Sequence, residues 1–221
     1  MTTEYAAPDH LLRLDEWDAL PADESRRLEL VEGVLVVSPR ARLRHQDAVF
    51  ALTAALQEAL PPGWRALIEV EVVVETGPAP TVRVPDVVVV PSALVDDRTR
   101  CDAADVVAAF EVLSLGTMRT DRVTKFAEYA DAGIGVYGIV DAGPPLAVSV
   151  YRLVDGRYEP TGQQRGRVHL DLGGGGVDLD LGPSAYPAVT SPRRRASVDT
   201  FRCTGATTRA ATGPSTAISS T

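Results

Sequence analysis

A mixed α/β fold is predicted for this 221-residue chain, in which apolar residues make up 45%, enough for one sizeable core. Stretches with helical apolar spacing alternate with short valine-rich runs, and two of those runs flank a turn rich in Gly and Pro. A central mixed sheet flanked by a few helices follows. Asp15–Leu20 opens as a short helix, with Trp17 and Leu20 at i and i+3. Leu28–Glu32 leads into Gly33, and Val34–Val37 reads as a strand. Arg44–Leu60 is a helix in which Val49, Leu52, Ala55, Leu56 and Leu60 recur on one face, stopped by Pro61-Pro62-Gly63. Ala66–Val74 and Val82–Val90 form a hairpin around Thr76–Pro80. Val106–Leu113 is a strand, Asp121–Ala132 a helix with Asp121 as its cap, and Val136–Asp141 and Val148–Leu153 are strands. Short β segments continue to Leu181, interrupted by Gly173–Gly176.

Two segments are expected. Residues 1–182 form the folded domain, and 183–221, rich in Ser, Thr, Ala, Gly and Pro, bury too little apolar surface to offset ordering entropy. The net charge of −8 is uneven: Arg193, Arg194, Arg195, Arg202 and Arg209 face only Asp199 in the tail, which leaves the body at −12. So acidic a body argues against coating nucleic acid by bulk electrostatics. It leaves open an enzyme that meets phosphate through a metal and a local arginine patch. The chain has no apolar run long enough to span a bilayer and no basic-then-apolar leader, so a cytoplasmic protein without a membrane partner is expected. Cys101 and Cys203 are far apart, and His10, His45 and His169 are scattered, so no zinc motif is present.

Valine-rich strands normally exclude carboxylates, because an unpaired buried charge costs several kcal/mol. Asp86, ahead of Val87–Val90, and Glu111, between Phe110 and Val112, break that rule. If their strands pair, both acids face one sheet edge, and a hard divalent cation would relieve their repulsion, with the Val112 carbonyl as a third oxygen. Lys125 is the only lysine among 22 basic residues and falls on the next helix. It would orient and deprotonate a water beside that ion. The structural alternative pairs Asp86 with Arg83 and Glu111 with Lys125. Glu29, between two leucines, either joins the metal shells or is a solvated partner of Arg26 or Arg27; Glu32 before Gly33 reads as a turn residue.

The ordered series ELVEG, SPRARLRHQ, VRVPDVVVV, FEVLS, DRVTKFAEYADAGI and VYGIVD resembles the PD-(D/E)XK nuclease superfamily, and more closely its Uma-two group of restriction-endonuclease-like proteins. The similarity runs from about Leu12 to Leu181. It implies a restriction-endonuclease-like mixed sheet with extra C-terminal strands, DNA phosphodiester hydrolysis with Mg²⁺ or Mn²⁺, and a homodimer. By position it implies Asp86 and Glu111 as metal-binding acids, Lys125 as the catalytic lysine and Glu29 as an accessory acid. Two departures stand out. Leu113 occupies the common E-x-K lysine position, and the lysine falls on the following helix, a placement the related group shares. Ser114-Leu115-Gly116 and Tyr137-Gly138 replace Ser-Pro-Ser and Tyr-Trp, the latter expected to loosen packing near the sheet edge. Arg40, Arg42 and Arg44 either meet phosphate or line a solvated helix entrance; His45 and Gln46 match a family pair, and Tyr129 sits at i+4 from Lys125 as a brace. The competing expectation is a catalytically inactive dimeric interaction module on the same fold.

Overall fold

The computed structural model describes residues 8–21, 26–38, 41–95, 98–113, 123–173 and 175–182. In chain order these form α1 (Leu14–Asp18), β1 (Arg27–Val31), β2 (Val34–Ser38), α2 (Leu43–Ala59), β3 (Trp64–Ile68), β4 (Val72–Glu75), β5 (Thr81–Arg83), β6 (Val87–Pro91) and β7 (Cys101–Asp102). They continue with β8 (Ala108–Val112), α3 (Lys125–Asp131), β9 (Val136–Asp141), β10 (Ala147–Val154), β11 (Arg157–Arg165), β12 (Arg167–Asp171) and β13 (Gly176–Asp180). The Asp121 cap, the Ser114–Gly116 departure, Arg40 and the 183–221 tail lie outside the described residues.

The α/β class holds, with more than one sheet. A six-stranded sheet has the order β11-β10-β9-β8-β6-β3, a five-stranded one β2-β1-β5-β4-β7, and β12 pairs with β13. The larger sheet is mixed: β8 and β9 run parallel through the α3 crossover, whereas β6 and β8 are antiparallel with Val87 opposite Phe110. The chain enters β2 from β1 through Glu32 and Gly33, both at positive φ (49° and 76°), as primed two-residue hairpin turns require.

The predicted Ala66–Val74 and Val82–Val90 hairpin is present but bent. Each arm breaks, so that β4 and β5 pair within the smaller sheet while β3 and β6 pair within the larger. Proline is the physical reason on one arm, since Pro85 has no N–H to give a ladder. Opposite it, Glu69 takes a positive φ of 53°, and its N–H reaches the Asp86 carbonyl at 3.3 Å across the break. Asp86 therefore stands at the corner where one ribbon passes between sheets.

Alternation along the strands assigns the two faces of the larger sheet. Val87, Val89, Phe110 and Val112 pack with Leu52 and Leu56 of α2 and with the β12–β13 hairpin. Val88, Val90, Ala109, Tyr137 and Ile139 pack with Tyr129 and Ala130 of α3. A third cluster joins Trp17 and Leu12 to Leu30, Val73 and Val82 of the smaller sheet. The seven-residue α3 is too short to be stable alone. Phe126 pins it, edge-on to Tyr137, Tyr151 and Tyr158 with ring centroids 4.9 to 6.1 Å away. Tyr158 in turn donates to the Ile134 carbonyl at 2.8 Å. No helix among the described residues is long and apolar enough to cross a membrane.

Gly138 corrects one expectation. It lies on β9 within the larger sheet rather than near an edge, and the Phe110 ring occupies the space a side chain there would need. Packing is thus refilled from β8, not loosened. Gly138→Ala should destabilise the fold by about 1–3 kcal/mol through this overpacking, read as a lower urea midpoint. Adding Phe110→Leu to that variant should recover part of the loss, whereas additive losses would remove the proposed contact.

Candidate active site

Three carboxylates buried in apolar sheets demand counter-charges, and the fold supplies them from neighbouring elements. Residues 27 and 29 share a face of β1, so Arg27 and Glu29 reach the corner together. Asp86 arrives from the ribbon break, Glu111 from β8 and Lys125 from the first position of α3. Glu29, Arg83, Asp86, Glu111 and Lys125 are each at most 4% exposed.

Their contacts form a chain of alternating charge. Asp86 Oδ1 accepts from Arg27 Nη1 at 2.5 Å, and Arg27 Nη2 donates to the Val84 carbonyl and lies 3.9 Å from Glu111 Oε2. Glu111 Oε1 accepts from Lys125 Nζ at 2.8 Å and from the Tyr129 hydroxyl at 2.9 Å. Lys125 Nζ also stands 3.2 Å from Glu29 Oε1, which accepts from the Val84 N–H at 3.1 Å. Arg83 Nη1 donates to Glu29 Oε2 at 3.1 Å, and its Nε and Nη2 form a two-pronged contact with Glu128 at 2.7 and 2.6 Å. At the other end Asp86 Oδ2 accepts from the Val112 N–H at 2.7 Å and pairs with His45 Nε2 at 3.1 Å.

The charge states follow from this chain. Burial pushes the Asp86 carboxyl up, but the His45 hydrogen bond, Arg27 and the Val112 N–H outweigh it and hold Asp86 at about 2. Glu29 is likewise depressed, as Lys125 and Arg83 overcome its burial. Burial would lower Lys125, yet Glu111 and Glu29 raise it above the ordinary lysine value, so it is an ammonium. Burial, with Glu111 close by, raises the Tyr129 hydroxyl well above its usual range and keeps it a donor. The Asp86 hydrogen bond raises His45 against its desolvation.

All four acids and bases singled out in the sequence, Glu29, Asp86, Glu111 and Lys125, thus enter one connected cluster. Several details differ from expectation. Asp86 pairs with Arg27 and His45 rather than Arg83, because Arg83 is turned to Glu29 and Glu128. Glu29 is buried against Lys125 and Arg83, not solvated. In this metal-free arrangement Lys125 is held as an ammonium by Glu111 and Glu29. Tyr129 braces the lysine indirectly, through their shared Glu111 oxygen. Arg42 and Arg44 are exposed at the start of α2. Arg83 and Arg27 entered the sequence reading only as ion-pair partners, of Asp86 and of Glu29, and Glu128 not at all. The signal for Arg27 was its i−2 spacing from Glu29 on a strand.

The donor set fits a hard divalent ion in one respect. Asp86 Oδ1 and Glu111 Oε2 turn toward the same cationic group, the Arg27 guanidinium. Among the described residues no three His, Cys, Asp or Glu side chains gather as a metal cluster, so backbone and water oxygens would have to complete such a shell.

A bent ribbon shared between sheets, with acids and a lysine at its corner, marks a nuclease-like fold. A putative nuclease belonging to DUF820 from Anabaena variabilis ATCC 29413 has a similar fold, with a TM-score of 0.56 at 18% identity over 72% of this chain and 88% of that one. The chain belongs to the Uma2 family, described as "Putative restriction endonuclease", which matches residues 14–181. No curated protein matches it.

A carboxyl held below its unfolded value contributes stability that is present above about pH 4 and lost as pH falls toward about 2. Acid titration of the metal-free protein, followed by urea unfolding, should show this loss through the Asp86 window. Asp86→Asn should flatten that slope; an unchanged slope would mean that Asp86 is not the group depressed by Arg27 and His45.

Proposed function

We propose that the protein is a metal-dependent endonuclease hydrolysing DNA phosphodiester bonds. Asp86 and Glu111 would hold Mg²⁺, or Mn²⁺ in its place, with the Val112 carbonyl as a further oxygen. The observation that carries this reading is the pair of buried carboxylates, one at the ribbon break just before β6 and one on the neighbouring β8, turned toward one cation with a lysine hydrogen-bonded to the second acid. When bound, such an ion supplies Lewis-acid polarisation of the phosphate and lowers the pKa of a bound water. The chain's own residues do the rest. Lys125, fixed by Glu111 and Glu29, presents an ammonium that orients the attacking water and stabilises charge developing on the phosphate. Glu29 positions Lys125 rather than binding the ion, since its near contacts are Lys125, Arg83 and the Val84 N–H. The Val112 N–H and His45 fix the Asp86 carboxylate. We place the protein in the cytoplasm, and a homodimer would present two such sites to a duplex.

One observation favours the competing reading, a catalytically inactive interaction module. The buried acids are already counter-charged by Arg27, Lys125 and Arg83. Plasmid cleavage separates the two. Purified protein with Mg²⁺ should nick supercoiled DNA, and chelator should stop it. Asp86→Ala and Glu111→Ala should each lower the rate by about 100-fold or more. Lys125→Arg should retain the cation and the fold, checked by thermal unfolding, while losing most activity, because a planar guanidinium cannot replace a compact ammonium between two carboxylates. Nicking that is equal in wild type and Asp86→Ala would assign cleavage to a contaminant and leave the inactive reading standing.

A further inference from the structure

Arg27 stands apart from the other cations of the cluster. The side chains of Lys125 and Arg83 are 5% and 3% exposed, whereas that of Arg27 retains 19% exposure. Its guanidinium lies between the acids of the corner and the end of β8, against Asp86 at 2.5 Å and Glu111 at 3.9 Å. It also reaches Glu69, 54% exposed, at 4.0 Å, so one side of the group faces the outside. Inside, the fit is incomplete: Arg27 Nε is buried without a hydrogen-bond partner. His45 Nδ1, on the residue that pairs with the same carboxylate, is equally unsatisfied. A guanidinium optimised only for stability would not leave a buried N–H orphaned. It is held by the acids, and it has an outward neighbour in Glu69.

We propose that Arg27 is an internal place-holder for the metal, a positioning residue that neutralises Asp86 and Glu111 in the metal-free protein and is displaced outward as a divalent ion enters. The inference rests on the metal-centre reading of Asp86 and Glu111 given above. Arg27 and the ion compete for the same carboxylate oxygens, so removing the guanidinium raises metal affinity while it lowers the stability of the metal-free fold. Once displaced, the side chain stands at the mouth of the site, where a planar two-pronged donor suits a phosphate.

Two measurements on the full chain test this, and neither reads activity. In the first, wild-type protein is treated with phenylglyoxal, an arginine-selective dicarbonyl, with and without Mg²⁺, and each arginine is quantified by mass spectrometry. Arg27 should be protected without the ion and become several-fold more reactive at saturating Mg²⁺, while exposed Arg98 stays unchanged. In the second, Mn²⁺ is counted by paramagnetic resonance. Arg27→Gln should bind it about tenfold or more tightly than wild type, with a lower melting temperature in chelator. Should Arg27→Gln fail to fold, the footprint on the wild type decides alone. Metal bound by wild type with Arg27 still protected would overturn the displacement and leave the metal centre intact. No Mn²⁺ bound by either protein would overturn the metal centre itself, and the place-holder with it.

Discussion

The structure depends on one constraint: carboxylates buried among valines must each lie between cations. Val87 to Val90 are fully buried, and each contributes roughly 1.5–3 kcal/mol by leaving water. That same dry environment makes an unpaired Asp86 or Glu111 prohibitive. Their counter-charges come from β1, β5, α2 and α3, elements far apart in sequence. Docking these elements and neutralising the acids are therefore one event. Glu111 ties β8 to the start of α3 through Lys125 and Tyr129. Arg83 ties β5 to Glu29 of β1 and Glu128 of α3. The apolar layers supply most of the gain, but the charge chain fixes which faces meet.

Much of the fold and roughly half of the cluster were legible in the sequence. Period-2 runs and the Pro61-Pro62-Gly63 stop located α2 and most strands within a residue or two. The acids stood out because their neighbours are valine, alanine and phenylalanine. What escaped was of two kinds. The sheet break needed both Pro85 and the positive φ of Glu69, and only the proline is visible in a sequence. The cationic half of the cluster was hidden because arginine is ordinary in this composition. Nothing in Arg27 or Arg83 alone distinguishes a buried guanidinium from a solvated one. Lys125 was conspicuous through rarity, but its second carboxylate neighbour was not, since Glu29 comes from a strand far earlier in the chain.

Gly138 shows how a departure from a family pattern misleads when read by itself. The absent side chain on β9 would mean a cavity if nothing on β8 reached across it. The Phe110 ring on the neighbouring strand fills that position, since Phe110 and Gly138 are register partners. One ring covers both positions, so the interior stays dense without a side chain at 138. Glu111 follows Phe110 directly on β8, so the strand that fills this position also carries the second acid.

The positions of the arginine and the lysine follow from geometry rather than from charge. Arg27 must reach Asp86, the Val84 carbonyl and Glu111 from one side chain, and only a planar fork offers donors in several directions at once. Lys125 faces two carboxylate oxygens at 2.8 and 3.2 Å in a space almost closed to solvent, where a compact ammonium packs and a guanidinium does not. A deeply buried cation and a more exposed one are thus both specified by side-chain shape. The lone lysine of an arginine-rich chain marks the position where an ammonium has to fit. The harder feature to see, an arginine two residues from a glutamate on an ordinary strand, is the group that lets Asp86 and Glu111 stand together in a dry corner.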